Sequence, residues 1–197
     1  MDIIREFGLT FVPLFVAMDP VGNLPIFLAL TREMEPKHRR HAVHLAALTA
    51  LGVGLGFVAI GKAIFLLLGI EVADFLMAGG IILLILAVRY LITGKMVETP
   101  DLSASETVGV VPLGTPLVVG PAVLTSLLLL IGPYRIPIVL SSFVLNLAVQ
   151  WVLFRQADRI VDFLGRTGAN AVSKIVMLLL AAIAVKMIRE GVLTILG

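Results

Sequence analysis

The sequence predicts an all-α, polytopic membrane protein of six transmembrane helices in two related halves. Three observations carry that prediction. Of 197 residues, 59% are hydrophobic and 14% charged, whereas an ordinary soluble domain is about 45–50% apolar and about 25% charged. A water-soluble fold would have to expose much of that apolar surface, which is rare outside interfaces. The apolar residues also fall into six runs near the about 20 residues that a span requires. Finally, two of those runs carry a matched pair of prolines, half a chain apart.

The first run, about Leu9 to Leu30, contains DPVGNLP, Asp19 to Pro25. Its N-terminal flank, MDIIREFG, has no basic cluster, so the run reads as a retained span and not as a cleaved leader. The loop TREMEPKHRRH leads to a second run, about Ala42 to Leu68. There Gly52 and Gly56 form a small-xxx-small pair of the kind that lets helices approach closely. The third run, about Val72 to Ile92, follows the short GIEV connection. TGKMVETPDLSASET then leads to a fourth, about Val108 to Ile131, which contains TPLVVGP, Thr115 to Pro121. The turn signal Gly132-Pro133 separates it from the fifth, about Pro137 to Phe154. Asn146 and Gln150 lie four apart in that run, on one helix face. The loop RQADRIVDFLGRTGAN reaches the sixth, about Ala171 to Leu193, where Lys186 and Arg189 read as snorkelling cations. No shift in composition marks a second domain, so residues 1–197 form a single transmembrane domain.

Basic residues stay on the cytoplasmic side. Ten of the 15 Lys and Arg fall in the first, third and fifth loops or beside them, and five on the other side. Both termini are therefore expected outside the cytoplasm. Tyr90, Trp151 and Tyr134 lie near span ends, where interfacial aromatics belong. The absence of cysteine excludes disulfides and thiolate metal sites, and the net charge of +2 does not point to nucleic acid.

The two proline motifs align at an offset of 96, and AVRYLITG (Ala87 to Gly94) aligns with AVKMIREG (Ala184 to Gly191) at 97. The nearly collinear matches predict two repeats, about 1–100 and about 101–197. Three spans per repeat is an odd number, so the second repeat must enter the membrane from the opposite side. Inverted-topology repeats recur among secondary transporters, and matched Gly/Pro-interrupted spans point to the binding site.

Asp19 lies about ten residues into its run, or about 15 Å at the helical rise, midway through a core about 30 Å thick. It is the only acid near the centre of any expected span. Charge there is costly, which makes Asp19 the proton-coupling candidate. Pro20 and Pro25 lack N–H donors, and the carbonyls they free cannot face lipid. The first and fourth spans are therefore expected to be discontinuous, with Gly22 supplying conformational freedom. A helix restarting at the midplane presents unpaired N–H groups and a positive dipole end to anions.

DPVGNLPIF in the first span, PLGTPLVVGP in the fourth and six spans in some 200 residues resemble the MarC family, which includes the SnatA-type small neutral amino acid transporters. The resemblance covers essentially the whole chain. It implies a prokaryotic inner-membrane protein that carries glycine, alanine and similar amino acids, coupled to protons. Sodium held by freed carbonyls is the competing coupling ion. No other cofactor or metal is expected, and the oligomeric state is left open. The solute carboxylate would meet N–H groups near Gly22 and Asn23 or near Gly120, Pro121 and Ala122. Its ammonium would meet freed carbonyls, Asp19 or Asn23, with Thr115 and Asn146 adding hydrogen bonds and Pro116 completing the fourth-span break.

Blander readings stand beside these. Asp19 is a favoured N-cap residue, the prolines can be kinks, and Asn23 and Thr115 can bond backbone alone. Asn146 and Gln150 can simply link helices. A channel, or an exporter of another small solute, would also use broken helices. An enzyme is not expected: a carboxylate dyad needs a second central acid, and every histidine lies in or beside the first loop.

Overall fold

In the computed structural model, which describes residues 2–32, 34–61, 63, 67, 69–93, 107–131 and 133–196, every described regular element is helical. The helices are α1 (Ile3–Met18), α2 (Pro20–Thr31), α3 (Pro36–Gly56), α4 (Val72–Thr93), α5 (Pro121–Ile131), α6 (Ile136–Arg155) and α7 (Ala157–Leu196). A wide turn, Phe57–Gly61, prolongs α3, and an irregular segment, Gly109–Val118, leads into α5. Prolines open α2, α3 and α5, a position where the missing N–H costs no hydrogen bond.

Among the described residues, four stretches are long and apolar enough to cross a bilayer: Ile3–Thr31, Pro36–Gly61, Leu76–Thr93 and Ile136–Arg155. Gly109–Val118 and α5, bent by 52° to each other, make a fifth when taken as one broken span. The expected sixth lies inside α7, which runs unbroken for 40 residues. At 1.5 Å per residue α7 is about 60 Å long, twice the hydrocarbon core. It absorbs most of the expected loop RQADRIVDFLGRTGAN, a stretch with no proline to stop a helix. The side chains of residues 158–173 lie outside the described set.

Large apolar side chains on the outer faces, among them Val12, Leu48, Ile85, Leu129 and Leu178, are exposed, as lipid contact requires. Inside, Leu14, Met18, Phe27, Leu83, Leu113, Leu127, Phe143 and Leu180 are fully buried or nearly so. Tyr90, expected at an interface, belongs to this core.

Helix α4 packs along α7, α3 along Gly109–Val118, and α6 against α1 and α3. Glycines set the closest approaches. A Cβ on Gly80 would lie 2.8 Å from the Ala184 carbonyl oxygen, and one on Gly191 2.7 Å from that of Ala73. Gly109 sits against Ala42 and Leu45, and Gly114 against Thr49. On α3, Gly54 meets the Phe143 ring, whereas Gly52 and Gly56 have open space around them. The small-residue contact thus uses the glycine between the expected pair.

Polar clamps hold the helix ends. Glu6, 4% exposed, accepts hydrogen bonds from the Arg135 backbone N–H (2.8 Å), Nε (2.9 Å) and Nη2 (2.6 Å). These bonds hold the guanidinium above its ordinary pKa. The buried Arg39 donates from Nε and Nη2 to the Thr31 carbonyl, at 3.3 and 3.1 Å, closing the end of α2. Thr10 and Ser142 share a 2.7 Å hydrogen bond between α1 and α6.

Candidate functional site

The first break is a single residue. Asp19 adopts the left-handed conformation, φ 46° and ψ 63°, which side chains other than glycine and, less often, Asn or Asp rarely adopt. Helical bonding persists on either side, from Asp19 N–H to Phe15 O and from Asn23 N–H to Asp19 O, both 3.0 Å. Asp19 Oδ1 accepts the Gly22 N–H at 3.0 Å, an N-cap for α2. Gly22 lies inside α2 and does not supply the positive φ; a Cβ there would collide with the Asp19 carboxylate. The conformational freedom expected of glycine is instead taken by the aspartate, because its own carboxylate repairs the helix start. Pro20 has no N–H, and among the described residues no hydrogen bond from α2 reaches the carbonyls of Val16 or Ala17.

The second break is longer. Val111 (φ −130°, ψ 123°) and Thr115 (φ −144°, ψ 135°) are extended within Gly109–Val118. Thr115 Oγ1 donates to Val119 O at 3.0 Å, and Val119 N–H to Gly114 O at 3.0 Å. Gly120 O accepts the Leu124 N–H as α5 begins. Gly120 lies too close to the Pro116 carbonyl to carry a Cβ. The first N–H groups of a helix have no partner within it. At α2 one of them is taken by Asp19, whereas α5 has no such side-chain cap among the described residues.

Asn23 joins the two breaks. Its Nδ2 donates to Met18 O at 2.7 Å, the last carbonyl of α1, and to Leu117 O at 3.3 Å. Around this knot lies a cavity of two adjoining lobes that share Asp19, Asn23 and Lys186. One, about 330 Å³, is lined by Val16, Ala17, Pro116, Leu117, Gly120, Pro121 and Ala122, and by Lys186 and Glu190 of α7. The other, about 400 Å³, adds Gly22, Pro25 and Leu179. These volumes lie at the lower end of the about 300–1,000 Å³ usual for small-molecule sites.

Of the residues singled out by sequence, Asp19, Gly22, Asn23, Pro25, Pro116, Gly120, Pro121 and Ala122 meet at this cavity. Pro20 and Thr115 line neither lobe. Asn146 is buried at the α1–α6 interface, donating to Phe11 O at 3.2 Å and Ser142 O at 2.9 Å. Gln150, read as a possible helix linker, has a buried amide with no hydrogen-bond partner among the described residues. Lys186 and Glu190 were not expected at the site. The signal was available, since an ionisable residue within an apolar run is a functional candidate by default.

A family model described as MarC family integral membrane protein matches residues 4–196. The chain belongs to the MarC family. Its MarC relatives include the UPF0056 inner membrane protein YhgN of Escherichia coli K12, 34% identical, with 92% of this chain and 93% of YhgN aligned. The UPF0056 membrane protein YhcE of the same strain is 31% identical over 92% of this chain and 89% of its own length. PYRAB13050 of Pyrococcus abyssi, also a UPF0056 membrane protein, is 29% identical over 98% and 96%. No solved structure matches. Family membership establishes this MarC protein as an integral membrane protein with several spanning helices.

Proposed function

We propose that this MarC protein is a secondary transporter of small neutral amino acids of the glycine and alanine class, coupled to protons, in an inner membrane. It works by alternating access around its two breaks and is not an enzyme. The observation that carries the reading is the Asn23 knot: one amide binds a carbonyl from each break, beside a cavity lined by both. A zwitterion needs partners of both signs. The carbonyls of Val16 and Ala17, which accept no hydrogen bond from α2 among the described residues, and the Asp19 carboxylate suit its ammonium; the N-terminal end of α5, at Ala122, suits its carboxylate.

The packing supports six spans in two inverted repeats. Exchanging the halves turns the α3 contact with Gly109–Val118 into the α6 contact with α1, and α4 with α7 into itself. Arg39 and Arg135 stand at matching positions, at or before the first turn of the second span of each half, and each clamps a neighbouring helix end. With both termini outside the cytoplasm, the two breaks approach the midplane from opposite sides. The inner-membrane location agrees with the name that YhgN carries.

The test is glycine and alanine uptake into proteoliposomes, with thermal shift as the binding readout, since a ligand of the folded state alone raises apparent stability. Selective stabilisation by glycine or alanine, but not by large or charged amino acids, is expected. Asn23→Ala should abolish uptake and, by stranding Met18 O, cost about 1–3 kcal/mol of stability. Uptake unchanged in that variant would defeat the reading, and so would ohmic single-channel steps in planar bilayers.

A further inference from the structure

Lys186 and Glu190 stand one turn apart on α7, Nζ to Oε1 3.5 Å, on the cavity wall that also holds Asp19. Lys186 lines the second lobe as well. Three charges thus share one space: two carboxylates and one ammonium. The Asp19 carboxylate uses Oδ1 on its cap, and no hydrogen bond to Oδ2 occurs among the described residues. The Lys186–Glu190 pair is loose, with side chains 62% and 47% exposed, and such pairs exchange partners readily. A cation that served only to snorkel would direct its stem away from the break. This one borders both lobes of the cavity beside it.

We propose that Lys186 is a specificity-determining residue: its ammonium takes the carboxylate of a zwitterionic solute whose own ammonium is taken by Asp19. This rests on the transporter reading and deepens it by naming the charge state of the solute. Opposite charges facing one cavity favour a short zwitterion and penalise single charges. A cation without a carboxylate meets Lys186 unpaired. An anion without an ammonium meets Asp19 and Glu190. In the empty cavity Glu190 holds Lys186 at the wall; the solute carboxylate then competes with Glu190 for it.

The experiment is a thermal-shift titration of the full-length protein, purified in detergent, with glycine, glycinamide (no carboxylate) and acetate (no ammonium). In wild type the glycine Kd fitted from the logarithmic rise of Tm with ligand concentration should lie at least about tenfold below that of either analogue, the ratio expected for one charge-assisted contact. Lys186→Gln should raise the glycine Kd by about tenfold and bring it level with that of glycinamide. Lys186→Arg should keep the wild-type ratio. Glu190→Gln, which removes the competitor, should lower the glycine Kd. Glycine discrimination intact in Lys186→Gln would overturn the assignment while leaving the transporter reading standing. If Lys186→Gln does not fold, an unchanged glycine Kd in Glu190→Gln overturns it equally. If no neutral amino acid stabilises wild type, both readings fall.

Discussion

Asp19 shows how one side chain resolves a problem created by its neighbours. Pro20 cannot donate to the preceding turn; the chain breaks there at the left-handed Asp19, and the Asp19 carboxylate restarts the helix on Gly22. Gly22 therefore has a packing reason to be glycine. Gly22→Ala should displace the carboxylate and cost about 0.5–2 kcal/mol, the usual worth of an N-cap, read as a lowered thermal midpoint in detergent. Asp19→Asn separates capping from charge, because Asn caps as well as Asp. It should fold with a near-wild-type thermal midpoint, lose accumulation driven by a pH gradient and retain solute exchange only at raised solute concentration. Gradient-driven accumulation that survives would remove Asp19 as the coupler. Gln150 presents the opposite case, a buried amide without a partner among the described residues. Replacing an unsatisfied polar group with an apolar one of similar shape can be neutral or stabilising, so Gln150→Leu should leave the midpoint unchanged or higher.

Among the elements, the α4–α7 pair depends on backbone-to-backbone approach. At Gly80 the obstacles to a Cβ are the Ala184 carbonyl and the Ile188 backbone nitrogen and Cγ1, and the backbone atoms cannot rotate aside. Gly80→Ala should cost about 1–3 kcal/mol by overpacking. Gly52→Ala, with nothing near the new methyl, should be neutral or gain up to about 1 kcal/mol from helix propensity. Thermal midpoints of the two variants measured side by side test the contrast; equal losses would contradict the packing described. The two breaks also differ as elements. The first is a one-residue interruption capped from within, and the second spreads over Gly109–Val118 before a 52° bend. Their shared proline spacing does not convey that difference, because the Asp19 carboxylate can cap a helix start while the Thr115 hydroxyl turns to Val119 O.

At the scale of the whole molecule, the prediction is topological. The native chain has no cysteine, so single cysteines report side without background. Cysteines at Asp2 and Arg135 should react with an impermeant maleimide added outside intact cells, and one at Lys37 only after permeabilisation. Labelling at Lys37 in intact cells would invert the assigned orientation. The Glu6–Arg135 clamp lies on the outer side in this orientation, and the Arg39–Thr31 clamp on the inner. Each half is thus tied near the start of its second span.

Much of this was legible in the residues. Composition and run length specify a helical membrane protein because hydrocarbon tolerates no unpaired backbone. The proline spacing located the breaks, and an aspartate deep in an apolar run pointed to the candidate site, since both violate the rules for a span. What only the tertiary structure decided depends on which helix lies beside which. It brought α7 to the breaks and with it Lys186, which the sequence read as a snorkelling cation, and Glu190, which the sequence did not single out. It sent Asn146 to Phe11 and joined the two breaks through one Asn23 amide, over 94 residues of sequence. Local pattern encodes where a chain cannot remain a regular helix in lipid. The partners that compensate each interruption come from distant segments, and packing alone selects them.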